Sequence, residues 1–231
     1  MSERFAVYFQ PPNSTPLGAF GASVLGYDAS AGAPMAHRPL TGVSPEELAT
    51  WTATPRTYGF HATLKAPFHL ADGVSAEQLS AAVATLAQTQ PPIRDLELIV
   101  QRLGSFIALV PPSRRPDLSE LADACVTELD HLRAPMTAAD RARRNPDRLT
   151  EDQRANLDRW GYPFVRDEFR FHCTLTGRLS DDDLDRAESA LSAAFAEVPR
   201  PVAITELTIA RQDGAGQRFV VVSRHPLSRE G

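Results

Sequence analysis

Cysteine is scarce in this chain, and so are long apolar runs. The two cysteines, Cys125 and Cys173, lack CxxC spacing and so predict neither a disulfide framework nor a zinc knuckle. Only five mostly apolar residues, 5–9, precede Gln10, which is too few for a signal peptide. No later run approaches membrane-spanning length. The sequence therefore predicts a protein of the reducing cytoplasm that does not enter a membrane.

The formal net charge of −5 over 231 residues also excludes a class of partner. Wrapping a long nucleic acid needs a basic surface that neutralises phosphates, which this composition does not supply. A small anionic ligand in a local basic pocket is still compatible with an acidic protein. The chain also lacks a glycine-rich phosphate loop, a nucleophile elbow and a Rossmann fingerprint, so the commonest nucleotide-binding and hydrolase classes are excluded.

What the chain does contain is one pattern written twice, aromatic-His-x-Thr-Leu, in residues 60–64 and 171–175. Alternate side chains of a β-strand share a face, so each stretch predicts a strand with an apolar face on the core and a polar face towards a site. The polar faces are expected to carry His61, Thr63 and Lys65 in the first strand and Arg170, His172, Thr174 and Thr176 in the second.

The elements around the two patterns also recur. A strand, a capped helix, a proline and a hairpin follow in that order in repeat one (about 56–112) and repeat two (about 167–225), with a strand at 4–10 before them. We interpret this as an internal duplication; chance repetition of a common α+β pattern is the alternative. The predicted fold is a single bilobal α+β domain over 1–231, with two antiparallel sheets and flanking helices around a central cleft.

A charged helical insertion, about 117–166, separates the repeats. Its second half is rich in arginine, which is typical of a solvated face. The alternative is a mobile lid that contributes an arginine to an anionic substrate.

Two histidines and two threonines on facing strands can cleave a phosphodiester without a metal. One imidazole takes a proton from the attacking oxygen and the other protonates the leaving oxygen; an unperturbed pKa of about 6.5 places both events near neutrality. Each hydroxyl can donate a hydrogen bond to a non-bridging oxygen, and Lys65 and Arg170 can add positive charge. A metal site is the competing interpretation, but two histidines without nearby carboxylate or cysteine ligands do not fill a typical zinc shell. No metal or other cofactor is therefore predicted.

The residues His61-Ala62-Thr63-Leu64 and His172-Cys173-Thr174-Leu175 resemble the paired motifs of the two-histidine (2H) phosphoesterase superfamily. The wider context, residues 5–12, 58–68 and 169–177, is similar to a bacterial branch associated with phosphonate-degradation operons. The resemblance implies two related lobes around a cleft, catalytic His61 and His172, and phosphate-binding Thr63 and Thr174. Further substrate-binding candidates in the similar stretches are Tyr8, Arg56, Tyr58 and Lys65, of which Tyr58 has the parity of the core face.

The resemblance also implies a substrate class, a small cyclic phosphate of a phosphorylated sugar or a nucleotide. The branch implies opening of 5-phosphoribosyl 1,2-cyclic phosphate to ribose 1,5-bisphosphate. A 2′,3′-cyclic phosphate at an RNA or nucleotide end, and a catalytically silent phosphosugar- or nucleotide-binding module, are the alternatives. The oligomeric state and the assignment of acid and base to the two histidines stay open.

Overall fold

The protein is described over residues 3–228 by a computed structural model in which α-helices pack on antiparallel strands, as the predicted α+β class requires. The strands are β1 (Arg4–Phe9), β2 (Tyr27–Asp28), β3 (Ala33–Pro34), β4 (Ala62–Phe68), β5 (Ile93–Leu96), β6 (Ile99–Leu103), β7 (Phe106–Val110), β8 (Cys173–Thr174), β9 (Val202–Ile204), β10 (Glu206–Gln212) and β11 (Val220–Pro226). The α-helices are α1 (Pro16–Leu25), α2 (Pro45–Trp51), α3 (Ala53–Arg56), α4 (Ala76–Thr89), α5 (Pro116–Glu128), α6 (Ala138–Arg143), α7 (Glu151–Trp160) and α8 (Asp181–Phe195). Over this range, none of the helices has the length and apolar character needed to cross a membrane.

Several helices begin at a Ser or Thr followed three residues later by Glu, Gln or Asp, a pattern typical of a helix start. The Ser44, Ser75 and Thr150 side chains each accept a hydrogen bond from the backbone N–H three residues on, and the side chain at that third position returns a bond to the cap. Ser180 caps α8 in the first of these two ways. These reciprocal bonds satisfy backbone donors that the first helical turn leaves free, so α2, α4 and α7 have a start defined by local sequence.

The two motif strands are neighbours at the centre of a seven-stranded sheet, in the order β11-β10-β1-β4-β8-β7-β6. Their pairing is short and antiparallel, with Ala62 opposite Cys173. The two antiparallel sheets expected of two lobes meet at this pair and continue as one. Smaller sheets form from β2 with β3 and from β5 with β9.

The hairpin of each predicted repeat lies in the half of the sheet that holds the motif strand of the other repeat. The β6–β7 hairpin of the first repeat adjoins β8 of the second, while the β10–β11 hairpin of the second repeat adjoins β1 and, through it, β4. The helices follow the same exchange: α4 packs on β10 and β11, and α8 packs on β6 and β7. Each half of the sheet therefore contains strands of both predicted repeats.

The main core lies between one face of the sheet and helices α4, α5 and α8. From β1 it receives Phe5, Val7 and Phe9. The intervening β1 side chains, Ala6 and Tyr8, face the opposite side, where they form a smaller buried cluster completed by residues 210 and 219. This second face carries the two histidine motifs.

Candidate active site

The histidines and threonines of the two motifs meet across the β4–β8 pair. Ala62 stands opposite Cys173 in an antiparallel pair. The same register, continued by one residue on each side, places His61 opposite Thr174 and Thr63 opposite His172. The two histidines are then diagonal neighbours on one face, a relation in which Cβ atoms are typically about 7–8 Å apart. Each imidazole thus lies beside the threonine of the other motif as well as its own.

Both imidazoles are oriented by the same kind of bond. The Nδ1 atom of His61 is 2.9 Å from the carbonyl oxygen of Gly59, and the Nδ1 atom of His172 is 2.8 Å from that of Arg170. A carbonyl oxygen only accepts hydrogen bonds, so Nδ1 carries the proton in each ring. The Nε2 atom is therefore the nitrogen left for proton transfer, and in His61 it lies 3.2 Å from the Thr63 hydroxyl.

Neither histidine keeps the unperturbed pKa assumed from the sequence. Burial lowers the pKa of His61 to about 4; the bond to the Gly59 carbonyl partly opposes this shift, and His172 adds to it. Burial also lowers the pKa of His172, against the effect of its bond to the Arg170 carbonyl. Both rings are accordingly neutral at pH 7 in the free protein, and an anion bound beside them would raise the pKa of each.

An aromatic wall surrounds His61. The ring centroid of Tyr8 is 3.9 Å from that of His61, and that of Tyr58 is 6.1 Å away. Tyr58 in turn stacks on Phe219, with a centroid distance of 5.3 Å. On the other side of the site the ring of Phe106 is 6.0 Å from that of His172. His61 is thus the more enclosed of the two histidines.

Tyr8 and Tyr58 both lie beside His61, as predicted for substrate-binding residues, but they differ in burial. Tyr8 is fully buried, and its hydroxyl has no hydrogen-bond partner among the described residues. Tyr58 is half-buried and faces the site despite its core-face parity. The reason is Gly59, whose φ of 75° turns the chain before β4 begins, so strand alternation does not extend back to Tyr58.

Lys65 does not share the face of His61 and Thr63, contrary to the sequence prediction. Thr63 stands opposite Tyr8 and Lys65 stands opposite Val7, so two residues of β4 advance for one residue of β1. This β-bulge breaks the alternation and turns Lys65 to the core side with Val7. There its ammonium group donates to the Val126 carbonyl (3.0 Å), so it is not available to a substrate.

The same correction applies to Thr176 in the second motif. The backbone N–H groups of Leu175 and Thr176 both bond to the Ile107 carbonyl, which is again two residues opposite one. Thr176 is completely buried, and its hydroxyl accepts from the Ile107 N–H and donates to the Gly177 carbonyl. It stabilises the strand junction and does not reach the site.

The two predicted arginines, Arg56 and Arg170, lie in different environments. The Arg56 guanidinium is not at the site: it donates to the carbonyl oxygens of Leu25 and Ala49 and to the Thr52 hydroxyl, and it contacts His37. It therefore joins α3 to α1 and α2. Arg170 is exposed at the outer end of the second motif, where its side chain is free to meet an anion.

Three aromatic residues near the site were not predicted from the sequence. Phe106 and Phe219 carry no motif that would have marked them. Tyr162, at the end of the insertion, lies within electrostatic range of Tyr8 and Tyr58; an aromatic residue in a charged segment was the available signal. Within residues 3–228 no cluster of three or more His, Cys, Asp or Glu side chains could hold a metal ion.

Comparison with known proteins gives two curated relatives. The chain is 39% identical over 235 residues to "Ribose 1,5-bisphosphate phosphokinase PhnN" of Janthinobacterium sp. (strain Marseille), which covers 99% of this chain and 51% of that protein. It is 34% identical over 217 residues to the protein of the same name from Laribacter hongkongensis (strain HLHK9), which covers 94% of this chain and 50% of that one. The chain spans about half the length of these relatives.

Two solved structures resemble the whole chain more distantly. One is E. coli LigT complexed with 3′-AMP and the other is described as a phosphoesterase; each is 17% identical, has a TM-score of 0.44 and covers 99% of this chain and 100% of its own. The family described as "Protein of unknown function (DUF1045)" matches residues 63–220, from the first motif threonine to the last strand. This chain therefore belongs to the DUF1045 family.

Proposed function

We propose that this protein is a metal-independent cyclic phosphodiesterase with His61 and His172 as its acid–base pair. The observation that carries the proposal is the diagonal placement of the two imidazoles, each with Nδ1 fixed by a backbone carbonyl and Nε2 left for the substrate. One Nε2 removes a proton from water as its oxygen bonds to phosphorus. The other gives a proton to the ring oxygen as its bond to phosphorus breaks.

Thr63 and Thr174 complete this arrangement. Both are half-buried on the shared face, each opposite the histidine of the other motif. Their hydroxyl groups can donate to the non-bridging oxygens, where negative charge grows during attack. The backbone bonds at Nδ1 keep both rings in the required tautomer between turnovers.

For the substrate we propose 5-phosphoribosyl 1,2-cyclic phosphate, opened to ribose 1,5-bisphosphate in phosphonate breakdown. The curated relatives bear the name of a kinase that acts on ribose 1,5-bisphosphate, and this chain corresponds to about half of them. A phosphate loop needs a lysine after glycine, but the only lysine of this chain, Lys65, follows Leu64 in a strand. We therefore assign the kinase activity to the other half of those relatives. The product proposed for this chain, ribose 1,5-bisphosphate, is then the compound that appears in the name of those relatives.

A nucleotide bearing a 2′,3′-cyclic phosphate is the second candidate. The half-buried Tyr58 ring stacked on Phe219 is the observation that favours it, because such a surface can stack on a base.

Incubating the protein with each cyclic phosphate in EDTA, and following the reaction by phosphorus NMR, separates these candidates. We expect turnover in the chelator with the ribose compound as the better substrate. His61→Ala and His172→Ala should each lower kcat by about 10²–10⁴-fold, and the double variant should lose much less than the product of the two. Thr63→Val and Thr174→Val should each cost about 1–3 kcal/mol of transition-state stabilisation.

Two results would reject the proposal. One is complete loss of turnover in EDTA that a single divalent ion restores. The other is near wild-type turnover of both cyclic phosphates by His172→Ala, since that would leave only one histidine in the mechanism.

A further inference from the structure

An ionic network centred on the Asp130 carboxylate links the end of the insertion to β4. The Lys65 ammonium group lies 3.6 Å from the Asp130 carboxylate, which also pairs with Arg133 at 2.9 Å and Arg159 at 3.4 Å. Arg133 donates in addition to the Arg159 carbonyl and packs against the backbone of Gly161. The last turn of α7 is thus linked through Asp130 to Lys65 of β4, two residues after Thr63.

The residue that follows this anchored turn is Tyr162, half-buried beside the site. Burial raises the pKa of the Tyr8 phenol, and the phenols of Tyr58 and Tyr162 lie near enough to raise it further. Burial likewise raises the pKa of Tyr162, with a smaller effect of Tyr58 in the same direction. The guanidinium of Arg144 lies over the Tyr162 ring, 5.0 Å from its centroid. Arg144, which directly follows α6, therefore lies beside the tyrosine that is nearest in sequence to the anchored turn.

Arg144 differs from most arginines around it in having no acidic partner. Arg141 pairs with Asp158, and Arg143 pairs with Asp140. No carboxylate of residues 3–228 lies within ion-pair distance of Arg144, and over this range its guanidinium lies against the Tyr162 ring. Its charge is available to an anion that enters from solvent.

The proposed substrate carries a second phosphate that the histidine–threonine set does not neutralise. Among the cations predicted from the sequence, Lys65 and Arg56 make hydrogen bonds within the protein, and Arg170 is exposed to solvent. We infer that Arg144 and Tyr162 form the subsite for this second, non-reacting phosphate. The inference rests on the proposed function, and it makes the insertion the part of the chain that selects for a doubly charged substrate.

Substitution of Arg144 by Gln, with Arg148→Gln as the matched control, tests this subsite. Arg148 belongs to the same insertion, is exposed, and likewise lies beyond ion-pair distance of the carboxylates in the described part of the chain. The kcat/KM is measured on ribose 1,2-cyclic phosphate with and without its 5-phosphate. Arg144→Gln should lower the preference for the phosphorylated compound by about 10- to 100-fold, the loss typical of a hydrogen bond to a charged group, while Arg148→Gln leaves it unchanged. Tyr162→Phe should lower it less.

A binding measurement separates this inference from the activity. Ribose 5-phosphate and ribose are titrated into the wild type and both variants, followed by NMR. If the wild type fails to open either cyclic phosphate, the proposed function is wrong, and weaker binding of ribose 5-phosphate to Arg144→Gln alone still supports the subsite. Equal preference and equal binding in Arg144→Gln and Arg148→Gln would overturn it.

Discussion

At the scale of single residues, His61 and Tyr8 form the most unusual pair. The imidazole is in van der Waals range of the Tyr8 ring, and burial lowers the pKa of His61 to about 4. Because kcat/KM reports the free enzyme, both limbs of its pH profile should lie on the acid side of 6.5, not near neutrality. Activity on this measure falls as the pH drops through the lowered pKa of the base, and the negative charge of bound substrate should move the kcat profile to higher pH.

Two substitutions of Tyr8 test the origin of this shift. Tyr8→Leu should raise the pKa of His61 towards 6.5 because water then reaches the ring, whereas Tyr8→Phe keeps the stack and should leave that pKa where it is. Tyr8→Phe should also leave the free energy of unfolding unchanged or slightly higher, since the hydroxyl it removes has no partner among the described residues. The pKa is read from the imidazole C–H resonances, with the shift of His172 as internal reference. An unchanged His61 pKa in Tyr8→Leu would show that other groups exclude the water.

At the scale of elements, the two motif strands bend at equivalent places. In β4 the bulge falls at Leu64 and Lys65, and after β8 it falls at Leu175 and Thr176. Both bulges turn the residue four positions after the motif histidine away from the site. β-Bulges are common beside active sites because they re-aim a side chain without ending the strand. In β4 the result is that a predicted substrate-binding lysine anchors the insertion instead.

Removing that lysine should therefore affect stability first. Lys65→Ala removes a hydrogen bond to the Val126 carbonyl and takes one cation from Asp130, and we expect it to lower the free energy of unfolding by about 2–4 kcal/mol. Urea unfolding followed by circular dichroism measures this change. Arg170→Ala, on the exposed end of the second motif, is the control and should leave stability unaltered. A Lys65→Ala protein of wild-type stability with a raised KM would restore Lys65 as a substrate ligand.

At the scale of the whole molecule, the strand order makes the two halves of the seven-stranded sheet interdependent. Each half contains strands of both predicted repeats, β5 pairs with β9 across them, and α4 and α8 each cover the hairpin of the other predicted repeat. Neither repeat can bury its apolar surface without the other, which is the condition for cooperative unfolding.

We therefore expect one unfolding transition for the entire chain. The two tryptophans provide separate probes, because Trp51 ends α2 in the core and Trp160 ends α7 in the insertion. With Trp51→Phe and Trp160→Phe, the fluorescence of the remaining tryptophan and the circular dichroism should give the same midpoint in urea. An earlier midpoint for Trp160 than for Trp51 would show that the insertion opens on its own, as the sequence-based lid hypothesis requires.

The sequence by itself determined the features that depend on neighbours along the chain. Helix starts at Ser44, Ser75, Thr150 and Ser180 follow from caps that act over three residues, and the alternation around His61 and His172 predicted which side chains lie beside them on the strand. These interactions are local, so their residue types can be recognised without knowing what packs against them.

The tertiary structure alone decided which charges remain for a ligand. Alternation holds only while two strands advance in step, and that step depends on the partner: β1 for Lys65 and β7 for Thr176. Likewise Arg56 is taken by carbonyl groups of α1 and α2, while Arg144 reaches Tyr162 through an anchor that joins Asp130 to β4. Contacts between residues so distant in sequence leave no local pattern, because their geometry exists only after the strands have paired.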